Sequence, residues 1–199
     1  MIAAISFMRR LAGVEPDRFR RHWLEIHGPL VQSFAGLRRY EQCHVQAANE
    51  PAAALGIDGF PILFFDNDSD RKLAHGSKAM ADCNIDSRSF IGAVTRVIST
   101  PVPLKDGSGP ACAMILSRPD DDPDRLQAAL LALPKLAGLT RYNPLEQGPA
   151  PASTVPHLPV AVSAVFQAWF ASPEDRAAAL ATCPAPSFAV EEIWLPPTS

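Results

Sequence analysis

Two stretches of the chain gather side chains able to move protons. Between Leu37 and Gln46, residues Arg38, Tyr40, Gln42, His44 and Gln46 alternate with Leu37, Arg39, Glu41, Cys43 and Val45. If the stretch is a strand, the first set shares one face. That face carries a phenol, an imidazole, a guanidinium and two amides, which suit a site that orients a polar substrate and exchanges a proton with it. The second stretch holds His22 and His27. On a regular helix begun at Phe19, His27 lies about 80° from the phenyl ring, on the shoulder of the apolar face, and about 140° from His22. The two imidazoles could not ligate one ion from such a helix, and His22 is expected to cover the edge of the Trp23 face. His27 stands just before Gly28-Pro29, where the helix is expected to break or kink. Carbonyls left open at a helix end favour an imidazolium. His27 is therefore either a proton-transfer group or a residue that shapes the turn.

The polar face of 37–46 is expected to look into a cavity. Its walls would come from Phe60, Ile62 and Phe64 and, much later, from Val165, Gln167 and Trp169. Alternation finds two faces without saying which is inside, so a core of Leu37, Cys43 and Val45 beneath a solvated polar face is the competing arrangement.

These groups need a scaffold, and the chain supplies its pattern twice. Residues 2–8 read as a strand, Pro16 suits a first helical turn, and Phe19, Trp23, Ile26 and Leu30 make one apolar helical face. Strands follow at 37–46, 57–66 and 92–100, with a second helix opened by the capping pair Asn67 and Asp70. Three pieces return in the same order roughly 105 residues on, the signature of a duplicated unit. Pro16-Asp17-Arg18-Phe19 recurs at Pro123–Leu126, Ala35–Tyr40 at Ala137–Tyr142, and Phe64-Phe65 with Asp70-Arg71 at Trp169-Phe170 with Asp175-Arg176. Ser172 and Asp175 repeat the capping pair, and Pro101–Pro110 has the composition of a linker. The expected fold is α+β: two tandem ferredoxin-like β-α-β-β-α-β units, 1–103 and 111–199 joined by 104–110. Each has a bare sheet face, and packing the two together would make an intrachain pseudo-dimeric α/β barrel. In the second copy Pro134 stands for His27, Pro144 for Gln42 and Glu146 for His44, while Tyr142 keeps the place of Tyr40. One working pocket, on the first copy, is expected.

Composition excludes much else. The 199 residues are 47% apolar and 20% charged with net charge −3, an ordinary globular balance that gives no reason to expect nucleic acid or an anionic membrane. No apolar run approaches the ~20 residues of a membrane span, and the arginines of MIAAISFMRR follow the apolar stretch, the reverse of a signal peptide. Four scattered cysteines read as reduced thiols of a cytoplasmic protein, with Cys43 as packing. Phosphate-cradling loops, dinucleotide fingerprints, serine elbows and metal-ligand spacings do not occur, so neither metal nor cofactor is expected. Asp120-Asp121-Asp122 reads as an acidic helix start, and His75 and His157 as surface residues.

The segment Phe19–Leu30, with Gly36-Leu37-Arg38-Arg39-Tyr40, Gln42–Val45, Asp58-Gly59 and Phe65-Asp66, resembles the EthD family. The resemblance covers about residues 2–100 and is faint beyond. It implies the dimeric α/β-barrel superfamily with ferredoxin-like protomers, and the second copy would be degenerate. Family members include a muconolactone methylisomerase, in which the histidine and tyrosine matching His27 and Tyr40 are assigned to the active site, and pigment-pathway dehydratases. The expected function is cofactor-independent acid–base chemistry, of isomerase, dehydratase or cyclase type, on a small, mostly apolar carbonyl, phenol or lactone. His27, Tyr40 and His44 would be catalytic, and Arg38, Gln42, Phe60, Ile62, Phe64, Tyr142, Gln167 and Trp169 would bind substrate. The alternative is a non-catalytic small-ligand-binding accessory protein of an oxygenase or ether-degradation pathway. The partner is expected to be a small apolar or aromatic ligand, with a further homodimer left open. The third strand lacks the acidic residue many relatives carry near Ile62, and Gln167, at the equivalent place in the second copy, can hydrogen-bond but not titrate.

Overall fold

A computed structural model of the protein describes residues 1–150 and 154–198. The first half runs β1 (Ile2–Arg10), α1 (Pro16–His22), α2 (Gly28–Gln32), β2 (Leu37–Ala48), α3 (Glu50–Ala53), β3 (Gly59–Phe65), α4 (Asp68–His75), α5 (Lys78–Ser87) and β4 (Ile91–Lys105). The second runs β5 (Ala111–Ser117), α6 (Pro123–Leu131), β6 (Leu136–Gly148), β7 (Ala164–Phe170), α7 (Pro173–Ala181) and β8 (Ser187–Leu195). The expected capping side chains are in place: Asn67 accepts from the Asp70 amide and Ser172 from the Asp175 amide; the acidic start of α6 also supplies a cap, Asp122 accepting from the amides of Asp124 and Arg125.

All eight strands close one antiparallel barrel in the order β1-β3-β2-β8-β5-β7-β6-β4. Strands of each half are contiguous, so two seams, β2 with β8 and β4 with β6, hold the halves together. The second seam explains why the stretch read as a linker begins as strand. Pairing with β1 ends at Ser99, whereas β6 continues alongside β4 from Arg96 to Lys105. Pro101 and Pro103 lie beyond β1, where a missing amide hydrogen leaves no ladder bond unmade on that side.

The helix through Gly28-Pro29 does not break. The chain stays helical from Pro16 to Gln32 by widening into a π turn at Trp23–His27 between α1 and α2. The Gly28 amide donates to the Trp23 carbonyl five residues back. This looser turn delivers Pro29 into the first turn of α2, where no amide hydrogen is required of it.

The barrel interior is filled by alternate residues of every strand, with Phe7, Phe60 and Phe188 packed edge to face. Phe60, Ile62, Phe64, Val165, Gln167 and Trp169 do face inward, as does Tyr142, which by strand register takes the place of Cys43 and not, as expected, that of Tyr40. Leu158, Val160 and Val162, from the segment before β7, fill the same core. The face of β2 that joins them is the other one. Cys43 packs in the barrel, while Tyr40 packs outside it with Val31, Phe34, Met80 and Cys83 beneath the helices. The expectation that Tyr40, Gln42 and His44 face the interior is corrected: both faces of β2 are buried, one in the barrel and one under a helix layer, so burial did not mark the inside.

Trp23 fits against the sheet only because β3 begins with glycine. A Cβ on Gly59 would collide with the Trp23 ring, which also lies 4.2 Å from the His44 ring, on the residue paired with Gly59. Gly59→Ala is expected to lower unfolding free energy by about 1–3 kcal/mol and displace the indole. Denaturant unfolding and tryptophan fluorescence would report both, and a wild-type midpoint would refute the packing.

Candidate active site

On the helix-covered side of the first half, β1, β3 and β4 lie opposite the π turn, α2 and α5. Between them is a cavity of about 80 Å³. The sheet contributes Ala4, Ser6, Leu63, Val94 and Arg96 to its lining, the helices His27, Val31, Met80, Cys83 and Asn84, and β2 contributes Tyr40. The equivalent layer of the second half is a dry cluster of Leu126, Leu130, Phe166, Phe170, Ala179 and Leu180. A larger concavity, about 600 Å³, is a surface groove along Asp120–Asp122 and Arg125 without a convergent reactive pair. Chemistry therefore picks the small cavity.

His27 is held at one end. Its Nδ1 donates to Asp86 Oδ2 at 2.9 Å, and His22 Nε2 donates to Asp86 Oδ1 at 2.9 Å. The two imidazoles reach one carboxylate because they are five residues apart, one turn of a π helix, whereas an α helix would turn them apart. Burial alone would raise the Asp86 pKa; the hydrogen bonds from His27 and His22 outweigh it and hold the carboxyl below its usual range. With Nδ1 bound, Nε2 is the His27 nitrogen available to a ligand.

Tyr40 is fixed from behind. Its hydroxyl accepts from Trp23 Nε1 and from Gln42 Nε2, both at 2.9 Å. A phenol oxygen has two lone pairs and one hydrogen, so with both pairs engaged the O–H is left to donate. Burial raises its pKa well above the ordinary phenol value, more than the Gln42 and Trp23 bonds lower it, and the group stays protonated. Gln42 Nε2 also donates to the Trp23 carbonyl of the π turn at 3.1 Å, and its Oε1 accepts from His44 Nε2 at 2.8 Å. His44 is the neutral Nε2–H tautomer, with Nδ1 buried and unpartnered among the described residues. Burial, with Arg20 nearby, lowers its pKa to about 4.

The residues expected to form one site are thus divided. His27 and Tyr40 share the cavity, Gln42 and His44 stand behind Tyr40, and Phe60, Ile62, Phe64, Tyr142, Gln167 and Trp169 belong to the barrel core. Gln167 there donates to Glu41 at 3.1 Å and Glu192 at 3.0 Å and accepts from Tyr142 at 2.6 Å. Burial lifts the Glu41 pKa to about 7, against Arg39 and with Glu192. Arg38 is at the surface, paired with Asp66. His75 is corrected: it lines the cavity between Arg71 and Arg96 and is not a surface residue. His157 is exposed, bridging to Val94. Asp86, Arg71 and Arg96 were missed. Asp86 sits on α5, 59 residues from His27, and no local spacing signals that contact. Cys83, with its thiol pushed up to about 12 by burial and by Asp86 and Asp82, is not a nucleophile at neutral pH.

Residues 11–93 match the EthD domain. Among solved structures the chain is similar to an anthrone oxidase-like protein at 7% identity, covering 100% of this chain and 96% of that one with a TM-score of 0.61. It is similar to an ethyl tert-butyl ether d (EthD) family protein from Bacillus halodurans C-125 at 17% identity over 50% of this chain and 97% of that one, TM-score 0.43. It is also similar to a chlorite dismutase variant from Candidatus Nitrospira defluvii at 12% identity over 96% and 90%, TM-score 0.45. No curated protein matches. At these identities the likeness to the anthrone oxidase-like protein is one of fold: a closed α+β barrel. Among the described residues no helix is long and apolar enough to cross a membrane.

The neutral His44 has a consequence for acid stability. Between its ordinary 6.5 and about 4 the unfolded chain holds a proton that the folded chain refuses. Stability therefore falls as pH drops through that window, by up to about 1.4 kcal/mol per unit from this group. His44→Gln is expected to flatten that slope in urea unfolding between pH 7 and 5. An identical slope would show that His44 is not buried uncharged.

Proposed function

We propose that the chain is two diverged copies of one ferredoxin-like unit, and that the first copy alone carries an acid–base site in its helix–sheet cavity. The observation that carries the reading is the pairing of an Asp86-oriented imidazole with a phenol whose acceptor positions are already taken, both on the same cavity. His27 is the base and Tyr40 the fixed hydrogen-bond donor. Nε2 removes a proton from a carbon beside a carbonyl, or from a phenol, as charge develops on the substrate oxygen. The Tyr40 O–H donates to that oxygen, and the imidazolium returns its proton to another carbon or to a leaving oxygen. Isomerisation, dehydration and cyclisation share this first step. His44 acts through Gln42 by keeping the amide turned toward Tyr40, and Asp86 with His22 sets the imidazole.

The cavity limits the substrate. About 80 Å³ lies below the range of roughly 300–1,000 Å³ for sites that take drug-sized ligands, so the substrate is compact, one ring or a short chain. Its walls of Val31, Leu63, Met80 and Val94 favour an apolar body. The dry outer layer of the second copy supports a single site per chain.

A panel of small ketones, lactones and phenols, each with and without a carboxylate substituent, incubated in D₂O reads the first step directly, as deuterium entering the activated carbon by NMR. The wild type is expected to exchange at least one compound. His27→Gln should slow that exchange by about 100-fold or more, and Tyr40→Phe by on the order of 100-fold, with folding intact. Exchange as fast in His27→Gln as in wild type, or none across the panel, would sink the assignment.

A further inference from the structure

One wall of the cavity carries a charge that the proton chemistry does not use. Arg96 lies on β4 beside Ser6 of β1, its register partner, and both residues line the cavity. Its Nη1 donates to His75 Nδ1 at 3.3 Å, and Arg71 Nη1 donates to the same nitrogen at 3.1 Å. Two guanidinium groups therefore converge on one imidazole lone pair, which requires His75 to be neutral and to carry its hydrogen on Nε2. Burial and the two arginines press the His75 pKa down to about 3, in keeping with that tautomer. His75 consequently supplies no negative charge.

The two arginines differ in how they are neutralised. Arg71 is buried and holds Asp68 through Nε and Nη2, each at 2.7 Å. Asp68 is further shared with Lys72 at 2.8 Å. Among the described residues Arg96 has no carboxylate within ion-pair distance. Burial, and next Arg71, lower its pKa to about 10, with Glu146 opposing, so it remains a cation at neutral pH. A partly buried guanidinium against another cation and an uncharged ring is costly unless an anion completes it. The fork of Arg96 matches the two oxygens of a carboxylate, and Ser6 adds a hydroxyl beside it.

We infer that the ligand of this cavity is a compact organic carboxylate, with its carboxylate on Arg96 and Ser6 and its apolar body reaching toward His27 and Tyr40. This rests on the proposed function only in placing the ligand in the same cavity; the charge recognition stands without any catalytic step. The arrangement gives the substrate one orientation, anion at the β4 wall and reacting carbon at the imidazole.

Crotonate and benzoate, each against its uncharged amide, crotonamide and benzamide, test the charge with shape nearly constant. Binding to the full chain is followed by methyl shifts of Val94 and Leu63 in NMR titrations. Each acid that binds is expected to do so at least tenfold more tightly than its amide, and the preference is expected to fall below threefold in Arg96→Met. The wild-type comparison alone decides the matter should that variant misfold. Equal affinity of acid and amide, no shift at Val94 with either acid, or a preference that survives in Arg96→Met would overturn the inference. A preference seen without deuterium exchange in the panel would leave carboxylate recognition standing and remove the acid–base reading; exchange confined to uncharged compounds would do the reverse.

Discussion

Proline has no amide hydrogen to give, and the helix that meets Pro29 must lose a bond or change its pitch. It changes pitch. The π turn at Trp23–His27 puts His22 and His27 on one carboxylate and presses the indole of Trp23 against Tyr40. It also exposes the Trp23 carbonyl to the Gln42 amide. His27, Tyr40 and the Gln42 amide behind it are all set by this one turn. Remove the extra residue per turn and His22 and His27 point apart, Asp86 loses one of its two partners, and the Trp23–Tyr40–Gln42 chain goes out of register. Widened turns of this kind recur at functional sites because they aim side chains that a regular helix cannot.

The sequence was legible where local physics decides. Capping side chains at Asn67 and Ser172, the inward row Phe60, Ile62, Phe64, and the order of strands and helices all follow from spacing within a few residues. It was ambiguous at β2, where alternation marks two faces but burial covers both: Glu41 and Cys43 in the barrel, Tyr40, Gln42 and His44 under the helices. Assigning the polar set to the barrel followed the rule that ligand pockets need converging polar groups. The structure instead buries that set on the opposite side of the sheet, with Tyr40 on the cavity and Gln42 and His44 behind it. The Asp86 and Arg96 contacts were not legible, because each is made across the fold between elements far apart in sequence, and His75 looked like a surface residue until two arginines closed on it.

The halves also differ in what they bury. The outer layer of the first mixes Tyr40, Gln42, His44, His27 and Arg71 with its apolar residues, each of these side chains tied to at least one partner while His44 Nδ1 has none among the described residues. The outer layer of the second is mostly leucine, alanine and phenylalanine, with Ile115, and is edged by Arg141 and Arg176. The common barrel core belongs to both, and its own buried carboxyl, Glu41, is held by Arg39 and Gln167. A polar layer strains the fold it sits in, since desolvated groups must each be satisfied, whereas a dry layer of similar size only adds cohesion. The second half can thus be read as the part of the molecule whose cohesion offsets the polar layer of the first.

Closure of the barrel within one polypeptide, through β2 with β8 and β4 with β6, bears on how such a protein can change. In a ring assembled from identical subunits every replacement occurs at each symmetry-related position, so a residue suited to a reactive cavity must also be tolerated in its twin. Here the two sides are encoded separately. A histidine can be gained on one and a leucine kept on the other without compromise, and selection can act on chemistry and on cohesion at different codons of the same gene.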